Sequence, residues 1–295
     1  MVRSRFTYAL ALLAAGVGCI AAHASVVARH QGCTDPTSEG WTTLGSGIGV
    51  DAEPLCGGAG DAWRIDDNST GGSLLYRKTL NTERLNLAMS VGWELRGNVV
   101  ILDSAGQNLP FSTTHGLNFR SATRGYDLFL RLQSPTTLRV WAVTQYDLGG
   151  GALGISADVP INFGETVEVA MSYDPVAGTA GIEVAGNEVI SNYAGAELAA
   201  IVCCQRGVSW GATQTSGTGE GRWSLVELDV NCDIPIGDIT GDGAVNLTDL
   251  AILLAAFGLN QGDAGYVAAA DLDGSNSIGL SDLALLLANF GSSCP

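Results

Sequence analysis

Two short acidic segments near the C-terminus of this chain of 295 residues carry oxygen atoms at the spacing that a divalent cation needs. The first segment, Asp238–Asp249, is DITGDGAVNLTD, and the second, Asp271–Asp282, is DLDGSNSIGLSD. Ca²⁺ takes about seven oxygen ligands at roughly 2.4 Å, and alternating positions of a tightly curled loop can supply them. The predicted ligands are Asp238, Thr240, Asp242, the carbonyl of Ala244, Asn246 and Asp249 in the first loop, and Asp271, Asp273, Ser275, the carbonyl of Ser277 and Asp282 in the second.

An apolar pattern of helical period follows each acidic loop. The two loops are offset by 33 residues, which indicates a duplicated unit. The apolar residues at i, i+3, i+4 and i+7 are Leu250, Leu253, Leu254 and Phe257 in the first copy and Leu283, Leu286, Leu287 and Phe290 in the second. We expect a short helix in each copy, ended by Gly258 or Gly291. Because so short a helix is marginal alone, we expect the two stripes to pack on each other.

Each loop with its following helix has the pattern of half an EF-hand, a loop–helix Ca²⁺ motif, and two positions inside the loops support this interpretation. Gly243 holds position 6 of the first loop, where the chain turns sharply. Asn276 holds this position in the second loop, and asparagine enters the left-handed region more readily than most residues. Val245 and Ile278 both hold position 8, where we expect the paired loops to touch.

The loop–helix pair resembles the type I dockerin module, with Asp at position 12 and a DLAxLLxxFG-like helix over roughly residues 234–295. The resemblance implies two Ca²⁺ sites and docking onto a cohesin domain of a scaffold that gathers polysaccharide-degrading proteins. Cohesin-binding dockerins usually carry hydroxyls at loop positions 10 and 11, whereas here these are Leu247-Thr248 and Leu280-Ser281. They also tend to carry basic helix residues, and residues 233–295 contain no Lys or Arg. The expected partner is a cohesin-like domain or another extracellular protein.

The charge of the chain limits its partners. The formal net charge is −16, and eight of the acids lie in residues 233–295. Nucleic acid is not an expected partner, because its phosphates would be repelled. Only 15% of the residues are charged and 40 are glycines, a composition that indicates a turn-rich β protein.

The N-terminus has the pattern of a secretory signal over residues 1–24. Arg3 and Arg5 precede an apolar run over residues 6–20, and Ala22-His23-Ala24 forms an A-x-A cleavage site. The run is too short for a membrane-spanning helix, so no membrane span is expected. We expect the protein to be secreted, periplasmic or at the cell surface. Lipid attachment at Cys19 is an alternative, although Gly16-Val17-Gly18 is a poor lipobox.

Six cysteines remain after the predicted cleavage: Cys33, Cys56, Cys203, Cys204, Cys232 and Cys294. An even number in an exported chain favours disulfides. Cys232 and Cys294 flank the duplicated unit, whose two-fold pairing would bring its ends together, so a bridge between them is preferred. A bridge between Cys33 and Cys56, both in glycine-rich loops, is also plausible.

Residues 25–232 show short alternating runs separated by turn residues and no sustained helical period. The predicted strands are 74–78, 89–95, 99–102, 128–132, 138–143, 167–173, 180–184, 188–190 and 223–230. Nine or more strands predict a β-sandwich. The string Met171-Ser172-Tyr173-Asp174-Pro175, followed by Gly178-Thr179 and Gly186-Asn187, resembles a hairpin of concanavalin-like (laminin-G-like) jelly rolls. The resemblance implies a sandwich fold and suggests carbohydrate or protein recognition. We expect the small α-helical dockerin-like module over residues 233–295 to follow this sandwich.

The best candidates for catalysis are Glu227 and Asp229, which are two apart on a strand and therefore share a face. Concanavalin-like glycosidases have E-x-D-x-(x)-E, and the third acid is missing here. We expect the pair to be solvated surface and assign no catalytic residue. His115 is expected in a loop with no evident Ser or Cys nucleophile.

The sequence thus favours a non-catalytic, exported Ca²⁺-binding protein whose sandwich recognises a glycan or a protein. The six tryptophans could include a sugar-stacking platform. They are Trp41, Trp63, Trp93, Trp141, Trp210 and Trp223. An extracellular polysaccharide hydrolase is the alternative function. In a third interpretation, the repeat is a calcium staple without a partner.

Overall fold

The architecture comes from a computed structural model, which describes residues 25–45, 47–58, 60–68, 72–103, 115–146, 152–198, 206–213, 219–232 and 234–294. The predicted leader over residues 1–24 lies outside these residues, as do Cys203 and Cys204.

Strands dominate the chain up to residue 230. They are β1 Ser25–Gln31, β2 Thr42–Leu44, β3 Val50–Leu55, β4 Ala62–Asp67, β5 Leu74–Lys78, β6 Trp93–Asp103, β7 His115–Arg120, β8 Arg124–Ser134, β9 Thr137–Tyr146, β10 Ala152–Pro160, β11 Val167–Asp174, β12 Thr179–Val184, β13 Asn187–Tyr193, β14 Ala196–Glu197, β15 Gly207–Ala212 and β16 Gly219–Val230. The helices are α1 Thr82–Val91, α2 Leu247–Ala255 and α3 Leu280–Ala288.

The strands form two antiparallel sheets that pack face to face. Sheet A has the order β13-β12-β11-β6-β16-β4-β3, and β1 also pairs with β16. Sheet B has the order β10-β9-β8-β7-β15-β5-β2, and β14 also pairs with β8. Alternate residues of each strand point into the space between the sheets, which gives a jelly-roll-like sandwich. The predicted fold class is confirmed.

Large aromatic side chains fill the space between the sheets. Trp93, Trp210, Trp223, Tyr126 and Phe119 are fully buried there. Five of the six tryptophans belong to this core. The exception is Trp141, which is half-buried on the opposite face of sheet B.

The strand predicted over residues 89–95 is correct only from Trp93, where β6 begins. Residues Thr82–Val91 form α1, which the side chain of Asn81 caps by accepting from the Arg84 N–H at 2.8 Å. The helix buries Leu85 and Ala88, one turn apart, but Leu87 and Met89 give the same segment a period of two, which masked the helix. The predicted strand 99–102 continues back to Trp93 as part of β6.

The loop predicted around His115 is also wrong. His115 is the first residue of β7, and its side chain is fully buried. The ring packs against Gly221 of β16, where an added Cβ would lie 2.5 Å from the ring carbon Cε1. His115 is therefore a residue of the core.

A second, smaller core holds the C-terminal module together. Its buried members are Ile239, Val245, Leu253, Ala256, Ala270, Ile278 and Leu286. The preferred disulfide Cys232–Cys294 and the plausible one Cys33–Cys56 are both present. The division at residues 232 and 233 stays a prediction. In the part of the chain that the structure describes, no helix is long and apolar enough to cross a membrane.

Candidate calcium sites and carboxylates of the sandwich

The first acidic loop brings three carboxylates together. Oxygens of Asp238, Asp242 and Asp249 lie within 4.8 Å of one another. Asp238 organises the turn, since its Oδ1 accepts from the backbone N–H of Gly241 at 2.6 Å and its Oδ2 accepts from that of Gly243 at 3.0 Å. Burial raises the pKa of Asp238. A cation at this point would remove the unfavourable free energy of clustering these charges.

The last carboxylate of the first loop also starts the following helix. Asp249 accepts from the backbone N–H groups of Thr240 and Asn246, both at 2.8 Å. Asn246 in turn accepts from the N–H of Thr248 at 2.7 Å, which completes a capping box at the N-terminus of α2. The loop and the helix are therefore held by the same side chains.

The second loop repeats this arrangement. Asp271, Asp273 and Asp282 form the second carboxylate cluster. Asp282 accepts from the N–H groups of Asp273 at 3.1 Å and Gly279 at 2.7 Å, as Asp249 does from the matching residues of the first loop. The position-6 residues adopt the expected left-handed conformation, with φ of 88° at Gly243 and 66° at Asn276.

One residue near the second cluster was not predicted from the sequence. The hydroxyl of Tyr266 donates to Asp271 Oδ2 at 2.7 Å. This hydrogen bond is the main cause of the lowered pKa of Asp271. Tyr266 lies outside the loop, and the matching position of the first copy is Asp233, so the duplication gave no signal for it.

The remaining predicted ligands line the same loops. Thr240 donates to Asp238 at 3.3 Å, and Asn246 Nδ2 donates to Asp242 at 3.2 Å. Ser275 donates to the carbonyl of Ser277 at 3.1 Å. The carbonyl of Ala244 lies 3.5 Å from Asn246 Nδ2. Each of these residues offers an oxygen atom suited to a hard cation. Their role as metal ligands stays a prediction.

Val245 and Ile278 both belong to the small core, and their backbones join the two copies. The backbone of Val245 bonds to Ser292 and Gly291 beyond α3, and that of Ile278 bonds to Leu259 and Gly258 beyond α2. Each loop thus pairs with the segment after the other helix, and Val245 and Ile278 do not pair with each other. The chain reverses after each helix at a glycine, with φ of 85° at Gly258 and 86° at Gly291.

Only part of each apolar stripe is buried, so the expectation that the whole stripes pack on each other is wrong. Leu253 and Leu286 are fully buried, and Leu250 and Leu283 pack against them. The other stripe members, Leu254, Phe257, Leu287 and Phe290, are exposed. A two-helix module is too small to cover both sides of its helices. The exposed members leave apolar surface on both copies.

The first loop lies against helix α1 of the sandwich. The side-chain amide of Asn81 donates to the carbonyl of Thr240, and Arg84 lies against Gly241. A Cβ added at Gly243 would lie 3.0 Å from Leu87. A Cβ added at Gly274 or Gly279 of the second loop would meet nothing within 4 Å. The two acidic loops are therefore alike in their carboxylates and unlike in their surroundings.

The acidic pair of the sandwich is buried, which corrects the expectation of solvated surface. Glu227 and Asp229 lie on β16, on the face of sheet A that points away from the core, and are 2% and 7% exposed. Glu227 makes an ion pair with Arg29 at 3.1 Å and another with Arg96. Burial, and next the charge of Glu227, raise the pKa of Asp229. The pair borders a cavity of about 420 Å³ that Glu94 also lines.

Comparison with known protein families identifies the C-terminal segment. Residues 236–290 match the model of the dockerin type I domain. This confirms the resemblance predicted from the duplicated loops. Dockerin domains bind Ca²⁺ and cohesins, and the two carboxylate clusters fit the calcium chemistry. No curated protein matches the chain.

Solved structures share the sandwich fold at low sequence identity. A carbohydrate esterase, vb_24B_21, from the Shiga toxin-encoding bacteriophage phi24B aligns with a TM-score of 0.52 at 10% identity, over 71% of this chain and 100% of that one. The protein SO2946 from Shewanella oneidensis MR-1 aligns with a TM-score of 0.46 at 9% identity, over 70% and 86% of the two chains. The first of these two similarities shows a shared fold alone.

Proposed function

We propose that this chain is an exported, Ca²⁺-binding docking protein. Residues 1–24 direct export, residues 25–232 recognise a glycan or an extracellular protein, and residues 233–295 bind two Ca²⁺ ions and dock onto a partner. The observation that carries the proposal is the pair of three-carboxylate clusters in a segment that matches the dockerin type I domain. Ca²⁺ offsets two of the three negative charges in each cluster and fixes the carboxylate that begins the next helix.

The exposed leucines and phenylalanines of the module support a docking role. Leu247 and Leu280, at position 10 of the two loops, are 73% and 76% exposed. With the exposed stripe members Leu254 and Leu287, they give α2 and α3 matching apolar surfaces. An exposed apolar surface of this kind is typical of a protein interface. The partner is a cohesin-like domain or another extracellular protein whose docking surface is apolar and carries no excess of negative charge.

Calcium titration of the full chain tests the metal proposal. Isothermal calorimetry with CaCl₂ is expected to give two binding events per chain, and EGTA is expected to lower the melting temperature. A D249N/D282N double variant, which removes both closing carboxylates, should bind neither ion. Absence of binding heat in the wild-type chain would overturn the proposal.

A pull-down against a panel of purified cohesin modules tests docking. Retention of a cohesin in Ca²⁺ and its loss in EGTA would support the proposal. A chain that binds both ions but retains no cohesin has a different partner or uses the module as a calcium staple. Replacement of Leu247 and Leu280 by Asp should abolish retention without changing the calcium stoichiometry.

Polysaccharide hydrolysis is a second candidate function, favoured by the buried acids beside the sheet A cavity. A general acid needs a raised pKa, and that of Asp229 is raised. Glu227, held by Arg29 and Arg96, is the second carboxyl of such a pair. Release of reducing sugar by the wild-type chain, lost in D229N, would establish this function in place of simple recognition.

A further inference from the structure

The face of sheet B that points away from the core carries a row of polar side chains across four strands. Arg77 of β5 pairs with Ser209 of β15, Ser209 with Asn118 of β7, and Asn118 with Asp127 of β8. Directly paired residues point to the same side of a sheet. Their neighbours Tyr76, Trp210, Leu117 and Leu128 face the core. The four polar residues therefore form one band on the outer face.

Two buried polar groups of this band lie in unfavourable surroundings among the described residues. Arg77 is 8% exposed, and the charged group that acts on its guanidinium is a second cation, Arg120. The side-chain oxygen Oδ1 of Asn118, a residue 3% exposed, accepts no hydrogen bond, although its Nδ2 donates to Ser209 at 3.3 Å. A buried guanidinium beside a like charge and a buried amide oxygen without a donor are both unfavourable. A ligand with a carboxylate and a hydroxyl would satisfy both groups.

An aromatic pair lies next to this band. Phe129 of β8 and Trp141 of β9 are directly paired and stacked, with ring centroids 5.5 Å apart and planes at 23°. Phe129 packs on Gly116, and Trp141 packs on Gly154, where an added Cβ would overlap the indole. The glycines allow the rings to lie close to the sheet. Both side chains are half-buried, so part of each ring is open to a ligand.

A second pair of cations lies beyond the aromatic pair. Arg131 is two residues from Phe129 along β8, which is about 7 Å, and pairs directly with Arg139 of β9. Arg139 makes a bidentate ion pair with Asp158 at 2.7 Å. The described part of this outer face thus carries four arginines and two carboxylates, Asp127 and Asp158, in a chain whose net charge is −16. The net charge of this face is therefore positive, whereas the net charge of the whole chain is negative.

We propose that the outer face of sheet B binds an acidic oligosaccharide of the uronic acid type. The carboxylate of one sugar pairs with Arg77, Asn118 Oδ1 accepts from a hydroxyl, and the apolar face of a neighbouring sugar stacks on Trp141. Arg131 receives a further carboxylate along the same chain. Guanidinium groups bind carboxylates through charge-assisted hydrogen bonds, and aromatic rings cover the C–H face of a sugar. The proposal rests on the glycan-recognition role of the sandwich and names its ligand class and location.

The test uses the full mature chain and a panel of short oligouronates made of galacturonate, mannuronate or glucuronate, each beside its methyl ester. The ester keeps the sugar and removes the charge. Calorimetry is expected to show at least one acid bound about tenfold or more tightly than its ester, with affinity that falls as NaCl is added. Arg77→Gln and Trp141→Ala should each weaken binding about tenfold or more. Arg222→Gln, the same charge change on sheet A, should change it less than twofold.

The outcomes separate this proposal from the broader function. Equal binding of acid and ester overturns the uronate class while leaving glycan recognition by the sandwich standing. Unchanged binding in Arg77→Gln and Trp141→Ala, with circular dichroism like that of the wild type, overturns the location. If no oligouronate binds although the chain binds its two Ca²⁺ ions, the proposal is wrong and the docking function is untouched.

Discussion

Arg84 of helix α1 lies against Gly241 of the first calcium loop, close enough that a Cβ at Gly241 would overlap its guanidinium. The positive charge lowers the pKa of Asp238, an effect that burial outweighs. Asn81, the cap of the same helix, donates to the loop carbonyl of Thr240. A single helix of the sandwich thus supports the first loop and places a cation beside it. The second loop has no such neighbour among the described residues.

This cation should weaken Ca²⁺ binding at the first site. Replacing Arg84 by Gln removes repulsion of the dication and is expected to raise the affinity of that site about threefold at low salt. Calorimetry on a D282N background, in which the second site is impaired, would isolate the effect. Arg84→Lys keeps the charge and should leave the affinity unchanged. An equal affinity in Arg84→Gln and the wild type would contradict the prediction.

The two closing carboxylates should differ in what they stabilise. D249N and D282N are each expected to reduce the calcium stoichiometry from two ions to one, because each removes the last ligand of one cluster. Only D249N should also lower the melting temperature of the sandwich, since the first loop packs on α1 and the second loop is open. Differential scanning calorimetry in CaCl₂ would show the difference, and equal melting temperatures in the two variants would contradict it.

The sequence predicted best what depends on local order. The carboxylates of each loop, Asp238–Asp249 and Asp271–Asp282, lie within twelve residues of one another, so their spacing alone brings them together. The left-handed conformation of Asn276 followed from its residue type. The contact between Arg84 and Gly241 joins residues far apart in the chain, and no local pattern indicates it.

The errors in the sandwich have the same physical origin. Glu227 was expected in solvent because acidic pairs on terminal strands usually lie at the surface, but Arg29 and Arg96 on two neighbouring strands cover it. His115 became a core residue because Gly221 of a distant strand leaves room for its ring. In both cases the register between strands decides the environment of the side chain, and a single sequence does not specify that register.

The Cys232–Cys294 bridge should contribute strongly to the stability of the C-terminal module. It closes a loop with a sequence separation of 62. The loss of chain entropy in the unfolded state predicts a contribution of about 4 kcal/mol to the free energy of unfolding. The C232S/C294S variant should therefore lose calcium-dependent ellipticity at a lower urea concentration than the wild type. C33S/C56S, which opens the bridge with a separation of 23 in the sandwich, is the control and should leave that transition in place.

His115 should make the stability of the sandwich depend on pH. Burial lowers the pKa of His115 to about 4 in the folded protein, against an ordinary value of 6.5. Between these values the unfolded chain binds a proton that the folded chain does not, so stability falls as the pH falls from 6.5 to about 4. The full loss from this group is about 3 kcal/mol. His115→Leu has an apolar side chain of similar size and should lack this component. The unfolding free energy of the wild type minus that of His115→Leu, measured by urea titration, should therefore decrease as the pH falls from 6.5 to about 4. A difference that stays constant with pH would contradict a neutral, buried His115.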